Sequence, residues 1–458
     1  MDKTLTARGW GLSMVLASAL GVASEPTVRS AEVVHTANGP TGYSVTFRYL
    51  NPAAKSVQIK GEWSFARPAA LSQLAATPDH PVVEGQGLLP KEWQPGDFPL
   101  QRPNSTGPNF PVADMVRGKD GVWTYTIPLP SGTFSYAFYV DCPAPEPGPP
   151  QPGRPQCRPI SDPNNRPWNE REGDTLGSPT LNSQVFVPSD PAFNTVDYAW
   201  QGPAKRPGTL VHLSYPSAGH IAPANENYVV IYTPPDYDPA RAKPYPTLYL
   251  SHGGGENEMG WSTQGVVGNI LDNLIGSGQI QPMVVVMPNA NGLPPSTFNE
   301  AYDRELIDHL IPYVEQHYHV STSAADRAFS GLSMGGMLTN SFIIKHPETF
   351  QYFGMMSAGL PADYGTLTPA QIAALQGKSI WVGGGWQDVI HAAGFNTTHT
   401  GPAREVSTFA QAGIPVATNF VNGGHEWYVW RQLLKDFLTR VAFLPQPYAA
   451  WSQPGLAR

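Results

Sequence analysis

The chain has 458 residues, more than one ordinary hydrophobic core holds, so two folded units are expected. Its formal net charge of -8, with only 14% charged residues, excludes the basic surface that nucleic acid or anionic lipid would require. Forty-five glycines and 49 prolines point to loop-rich, β-containing folds rather than helical bundles.

In chain order, the N-terminus reads as an export signal. Lys3 and Arg8 precede an apolar run from Gly9 to Val22, and Val22-Ala23-Ser24 offers small residues for cleavage, so residues 1–24 are expected to be a signal peptide. The run is shorter than the ~20 residues that span a bilayer, which argues against stable membrane insertion once the signal is removed. The mature protein is then secreted or periplasmic. In such an oxidising compartment Cys142 and Cys157, the two cysteines of the chain, are expected to form a disulfide.

Residues 27–190 read as all-β. Tyr43–Tyr49, Ser56–Lys60, Gly121–Ile127 and Thr133–Val140 alternate in the two-residue rhythm of half-buried strands, with turn-rich stretches between them. Short strands at this spacing argue for a β-sandwich. Trp63 could stack on a sugar if exposed, but a tryptophan in a sandwich belongs more often to the core. Residues 166–208 are rich in proline and asparagine, with an edge-strand candidate at Val185-Phe-Val187; the linker is placed at 191–208.

From residue 209 to 445 the rhythm changes. Apolar β runs (228–232, 247–250, 283–287, 328–330, 353–356, 380–382, 417–421) alternate with helix-period segments near 263–276, 297–317, 334–346, 402–412 and 426–442. That alternation predicts an α/β fold with a mostly parallel sheet covered on both faces. Residues 446–458 are left as a C-terminal tail.

One G-x-S-x-G occurs, Gly331-Leu-Ser333-Met-Gly335, between a strand and a helix. A strand–turn–helix elbow lifts the serine hydroxyl above the sheet, and glycines flank it because side chains there would strike the neighbouring elements. Ser333 is therefore the expected nucleophile of an α/β-hydrolase. In that fold the acid and the histidine follow the serine in the chain. His425 comes after the strand at 419–421, opens the last helix, and is the expected base; His346, His391 and His399 sit less favourably. Asp388 lies just beyond the strand near 380, where it can orient the imidazole; Glu348, Asp363 and Glu405 are the weaker candidates. His252-Gly253-Gly254-Gly255 follows the strand at 247–250, so the amides of Gly254 and Met334 are the expected oxyanion hole. Trp261, Trp386 and Trp427 flank these segments and could form an aromatic wall for substrate. His317-Tyr-His319 lacks a third ligand, so no metal site is expected.

Residues 232–237, 245–253, 327–336 and 423–427 together resemble the esterase family that contains feruloyl, acetyl-xylan and enterochelin esterases and mycolyltransferases. Gly61-Glu-Trp63, Asp120-Gly-Val-Trp123, the strand at 136–141 and Asp162-Pro-Asn-Asn165 resemble the immunoglobulin-like module that precedes some secreted esterases. Ser251, where many relatives carry an apolar residue, and Trp386-Gln387 before the acid depart from the pattern. The resemblance implies a serine carboxylic-ester hydrolase without cofactor, acting on feruloyl or acetyl esters of plant polysaccharide or sugars. Two other readings stay open. A siderophore esterase would need cationic groups such as Arg404 and Arg431 at the pocket, and a carbohydrate-binding protein would carry a vestigial esterase domain.

Overall fold

Alternating apolar side chains in the N-terminal strands bury one face of each and so demand a second sheet to cover it. In the computed structural model, which describes residues 29–68, 87–100, 112–142, 158–167, 182–360, 366–390 and 400–445, two four-stranded antiparallel sheets meet that demand. One orders β1 (Glu32–His35), β2 (Tyr43–Leu50), β8 (Val122–Pro128) and β7 (Val116–Arg117). The other orders β10 (Ser183–Val187), β9 (Gly132–Val140), β3 (Val57–Gly61) and β6 (Val112–Asp114). Val45 and Phe47 of β2 face the other sheet, whose Val57 and Ile59 of β3 and Phe134, Tyr136 and Phe138 of β9 complete one buried core. Trp63 is fully buried against Phe47, so it is core and not a sugar platform. A two-stranded ribbon, β4 (Phe65–Ala66) with β5 (Phe98–Pro99), continues from this unit. The expected signal peptide, the C-terminal tail and Cys157, and with it the bond to Cys142, lie outside the described residues.

The remaining strands form one eight-stranded sheet. Its order is β11 (Thr209–Pro216), β12 (Glu226–Thr233), β14 (Val284–Pro288), β13 (Thr247–Ser251), β15 (Arg327–Leu332), β16 (Tyr352–Met356), β17 (Ser379–Gly385) and β18 (Val416–Val421). The first two strands run antiparallel to their neighbours and the others are parallel. Strands β13 to β17 are near-continuous apolar runs because helices cover both faces. Helix α1 (Val267–Gly276) and the last helix lie on one face, where Ile270, Leu274, Leu433 and Phe437 pack on Val285 and Trp381. The other face carries α2 (Phe298–Arg304), a π-helical turn at Glu305–Leu310, α3 (Ile311–His317), α4 (Met334–Lys345), α5 (Pro369–Leu375) and α6 (Pro402–Gln411). The last helix is α7 (Trp427–Arg440). No helix among the described residues is long and apolar enough to cross a membrane.

Besides the short strands β1, β4, β5, β6 and β7 of the N-terminal unit, two elements were not expected from the sequence. Strand β11 carries mostly half-exposed residues, as an edge strand does, and so lacks a clear alternation. Helix α5 is short but marked by a capping box, Thr368 with Gln371, and by Pro369 at its first turn.

Candidate active site

The site lies at the carboxyl ends of the central strands, where open α/β sheets gather ligand-binding loops. Strand β15 ends at Leu332 and α4 begins at Met334, leaving Ser333 alone in the turn with φ 52° and ψ −116°. A non-glycine residue with positive φ in so tight a turn stores strain. The flanking glycines are sterically required. A Cβ on Gly331 would meet the Gly335 backbone at 2.5 Å, and one on Gly335 would meet the carbonyl oxygens of Ser251 and His252 at 2.7 Å. The Ser333 amide is anchored to the Met356 carbonyl at 2.9 Å, so the turn is fixed from the neighbouring strand.

Asp388 and His425 converge from two further strand ends. Asp388 follows β17 by three residues and is buried; its Oδ1 accepts the Ile390 amide at 3.0 Å. Its Oδ2 lies 2.9 Å from His425 Nδ1, and His425 Nε2 lies 2.9 Å from Ser333 Oγ. With Oδ2 a pure acceptor, Nδ1 carries the proton and Nε2 faces the hydroxyl as an acceptor. Burial pushes the imidazole pKa down, but the Asp388 carboxylate and, less strongly, Glu256 outweigh it and hold His425 above its ordinary value. The His425 ring also packs edge-on against Trp430, with centroids 5.0 Å apart.

The HGGG segment turns away from β13 beside the elbow. His252 is buried; its Nδ1 donates to the Gly253 carbonyl at 2.7 Å and its Nε2 accepts the Ala290 amide at 3.0 Å. Burial holds its pKa below the usual value, so it is a neutral strut for the loop. The Gly254 Cα faces Met334, since a Cβ there would come 4.0 Å from the Met334 Cβ. Ser251, the unusual residue before the histidine, is buried and accepts the Tyr302 hydroxyl at 3.0 Å, while its carbonyl accepts the Trp261 indole N–H. That polar pair explains a hydroxyl where an apolar side chain would otherwise fit.

The three tryptophans do not form the expected wall. Trp261 is fully buried and Trp427 nearly so, packed edge to face with centroids 5.0 Å apart. Their N–H groups point inward, to Ser251 and to Glu256. Trp386 alone of the three is exposed, leaning on Phe420. Arg431 is also not at a pocket: its guanidinium is buried, donating to the carbonyls of Gln264 and Thr133. Arg404 is exposed on α6, and the rival acid Glu405 is buried on the same helix.

The roles of two residues escaped the sequence reading, although Gln387 stood out there as a departure from the family pattern. Gln387 receives the Gly423 amide on Oε1 at 2.6 Å and returns its own amide to the Gly423 carbonyl at 3.0 Å, locking the acid loop to the histidine loop. Glu256, just past HGGG, holds the Trp427 indole N–H at 3.0 Å. Burial raises its carboxyl to about 7, with Gly253, Trp427 and His425 pulling it down and Glu62 pushing it up. A lone glutamine and a loop glutamate carry no motif, so nothing in the spacing marked them.

A mixed sheet with an elbow serine, and an imidazole and carboxylate arriving from later strand ends, defines the α/β-hydrolase class. Within that class, residues 222–441 match the model of the Esterase family ("Putative esterase"). It is 37% identical over 203 residues to an endo-1,4-beta-xylanase/feruloyl esterase of Xylanibacter ruminicola, a match covering 42% of this chain and 25% of that protein. The chain thus spans about a quarter of that relative's length. Among solved structures, a ferulic acid esterase shares 24% identity over 51% of this chain and 98% of its own, with a TM-score of 0.43. The enterobactin esterase of Shigella flexneri shares 18% identity over 87% of this chain and 92% of its own, with a TM-score of 0.45.

Proposed function

We propose that the protein is an exported serine carboxylic-ester hydrolase acting on feruloyl or acetyl esters of plant polysaccharide or sugars. The observation that carries the chemistry is the unbroken chain Asp388–His425–Ser333, with 2.9 Å at both links. Ser333 Oγ attacks the ester carbonyl while its proton passes to His425 Nε2. Asp388 holds the imidazole in the productive tautomer and stabilises the imidazolium. The tetrahedral oxyanion is met by the amides of Gly254 and Met334, neither of which has a hydrogen-bond acceptor among the described residues. His425 then returns the proton to the leaving alcohol, giving an acyl-serine. Water, deprotonated by the same imidazole, releases the acid and restores Ser333. Each step uses groups of this chain, with no cofactor.

Support for the substrate class is the feruloyl esterase named in the similar Xylanibacter protein. Exposed Trp386 beside the acid offers an aromatic face for a phenolic acyl group or a sugar. The siderophore reading loses Arg431, which is consumed in the interior. The test is a hydrolysis panel of methyl ferulate, an alkyl acetate and a catecholate ester with wild type and Ser333→Ala. A drop in kcat of about 10⁴-fold or more in a folded variant is expected, with a fluorophosphonate labelling Ser333 alone. A drop under tenfold removes Ser333 from the role. Faster turnover of the catecholate ester than of methyl ferulate would replace the substrate class.

A further inference from the structure

Behind the site, a second carboxylate ties the HGGG loop to the last helix, 171 residues further along the chain. Glu256 Oε1 accepts the Trp427 indole N–H at 3.0 Å and, at 3.4 Å, the side-chain amide of Gln264. Its Oε2 faces the amide of Gly253 at 3.4 Å, inside the HGGG segment. Space is reserved for it: a Cβ on Gly260 would come 3.2 Å from Oε2 and one on Gly253 3.7 Å. Gln264 in turn gives its carbonyl to Arg431 Nε at 2.8 Å. Arg431, fully buried on α7, donates Nη1 to the Thr133 carbonyl of β9 at 2.8 Å and sets Nη2 3.5 Å from Glu62 Oε2. Glu62 also accepts the Ser135 amide at 2.8 Å. An N-terminal sandwich strand, the HGGG loop and the helix that follows His425 are thus pinned at one buried polar seam.

We propose that Glu256 is a positioning residue of this site, tying the HGGG loop to the helix behind His425, and that the N-terminal sandwich works through it by way of Glu62 and Arg431. The inference rests on Ser333, Asp388 and His425 being the reacting set. Asp388 takes the imidazole from one side, and Glu256 is the other carboxylate whose charge reaches it. When Ser333 surrenders its proton to His425, an ionised Glu256 adds to the stabilisation of the imidazolium. The charged or titratable groups facing Glu256 are His425, which favours its ionised form, and Glu62, which opposes it. Burial raises Glu256 to about 7, Asp388 raises His425 above its ordinary value, and each group's charge acts on the other. The two groups then share macroscopic ionisations.

The test is the pH dependence of kcat/KM for a simple aryl ester, in the full-length protein and three variants. In wild type the acid limb should be steeper than a single ionisation. Glu256→Gln should reduce it to one proton and lower kcat about five- to tenfold, with KM within about twofold. Trp427→Phe removes a donor to the carboxylate, so the second ionisation should move to higher pH. Glu62→Gln removes the opposing charge from the sandwich, so it should move to lower pH. Opposite displacements from two sides of the seam are not what loosened packing produces. A Glu256→Gln enzyme with wild-type limb and kcat within twofold overturns the proposal, as do Trp427→Phe and Glu62→Gln displacing the limb in one direction or not at all. If Glu256→Gln melts early, the Trp427→Phe and Glu62→Gln pair decides alone. A wild type that hydrolyses no ester defeats the reading of the reacting set; an active wild type indifferent to Glu256 defeats this inference only.

Discussion

Asp388→Asn leaves the volume of the site unchanged and alters one hydrogen bond, so its cost can be worked out atom by atom. Asp388 Oδ1 accepts the Ile390 amide at 3.0 Å, and Oδ2 accepts His425 Nδ1–H at 2.9 Å. The Ile390 donor is backbone and cannot turn. An asparagine must therefore give it the carbonyl oxygen and present its NH₂ to His425 Nδ1. That nitrogen then becomes an acceptor, the imidazole proton sits on Nε2, and it points at Ser333 Oγ 2.9 Å away. The base is occupied by its own proton. Flipping the amide restores the tautomer but sets NH₂ against the Ile390 N–H, leaving buried donors unmatched at about 1–3 kcal/mol, before the lost negative charge is counted. The expected loss of kcat lies between about 10² and about 10⁴, or ~3 to ~5 kcal/mol of transition-state stabilisation. It is read on a nitrophenyl ester, with circular dichroism verifying the fold. The residual activity should have its acid limb at lower pH, because burial then dominates the imidazole. A variant keeping more than a tenth of wild-type kcat would show that Asp388 does not hold the tautomer.

Glu405→Gln should leave kcat within about threefold, since the ring nitrogens of His425 face Asp388 and Ser333. Burial raises the Glu405 carboxyl well above its ordinary value, so wild type loses stability as pH climbs past the unfolded-state pKa toward the folded one. The amide does not titrate, and its melting-temperature advantage should grow between pH 5 and 8; a gap independent of pH would contradict this. Trp261→Ala should cost about 3–5 kcal/mol in urea unfolding, as a buried tryptophan does. Trp386→Ala should cost under ~1 kcal/mol while eroding the preference for methyl ferulate over an alkyl acetate; equal losses on both esters would end a substrate role for Trp386. Gly335→Ala drives a Cβ to 2.7 Å from two backbone carbonyls, which should cost about 3 kcal/mol and abolish fluorophosphonate labelling; normal labelling would refute the tightness of the elbow.

What could be read from the sequence is what local rules dictate. The elbow announces itself because only glycine fits at 331 and 335, and the order serine, acid, histidine follows from strands that all end on one edge. The parallel strands are legible since burial on both faces makes them uniformly apolar. Strand β11 is not, because an edge strand half-exposed on both sides has no rhythm to detect. Helix α5 carried a capping box and a first-turn proline, but its seven residues are too few to establish a helical period. The tryptophans mark the limit most clearly. Trp261, Trp386 and Trp427 stand in equivalent sequence contexts beside site residues, yet two are core and one is surface. That difference is set by which strand ends come together, which no window of neighbours contains. Gln387 and Glu256 act through partners 36 and 171 residues away, so their roles were hidden for the same reason.

Asp388 and His425 follow adjacent parallel strands held in fixed register, with Gly385 opposite Val421. Asp388 follows that rung by three residues and His425 by four. Each residue of extended chain advances about 3.5 Å. One insertion or deletion at 386–388 or 422–425 would therefore displace a partner beyond the reach of a hydrogen bond. Surface loops ordinarily absorb changes of length, but these two are expected to hold theirs through divergence while their residues vary.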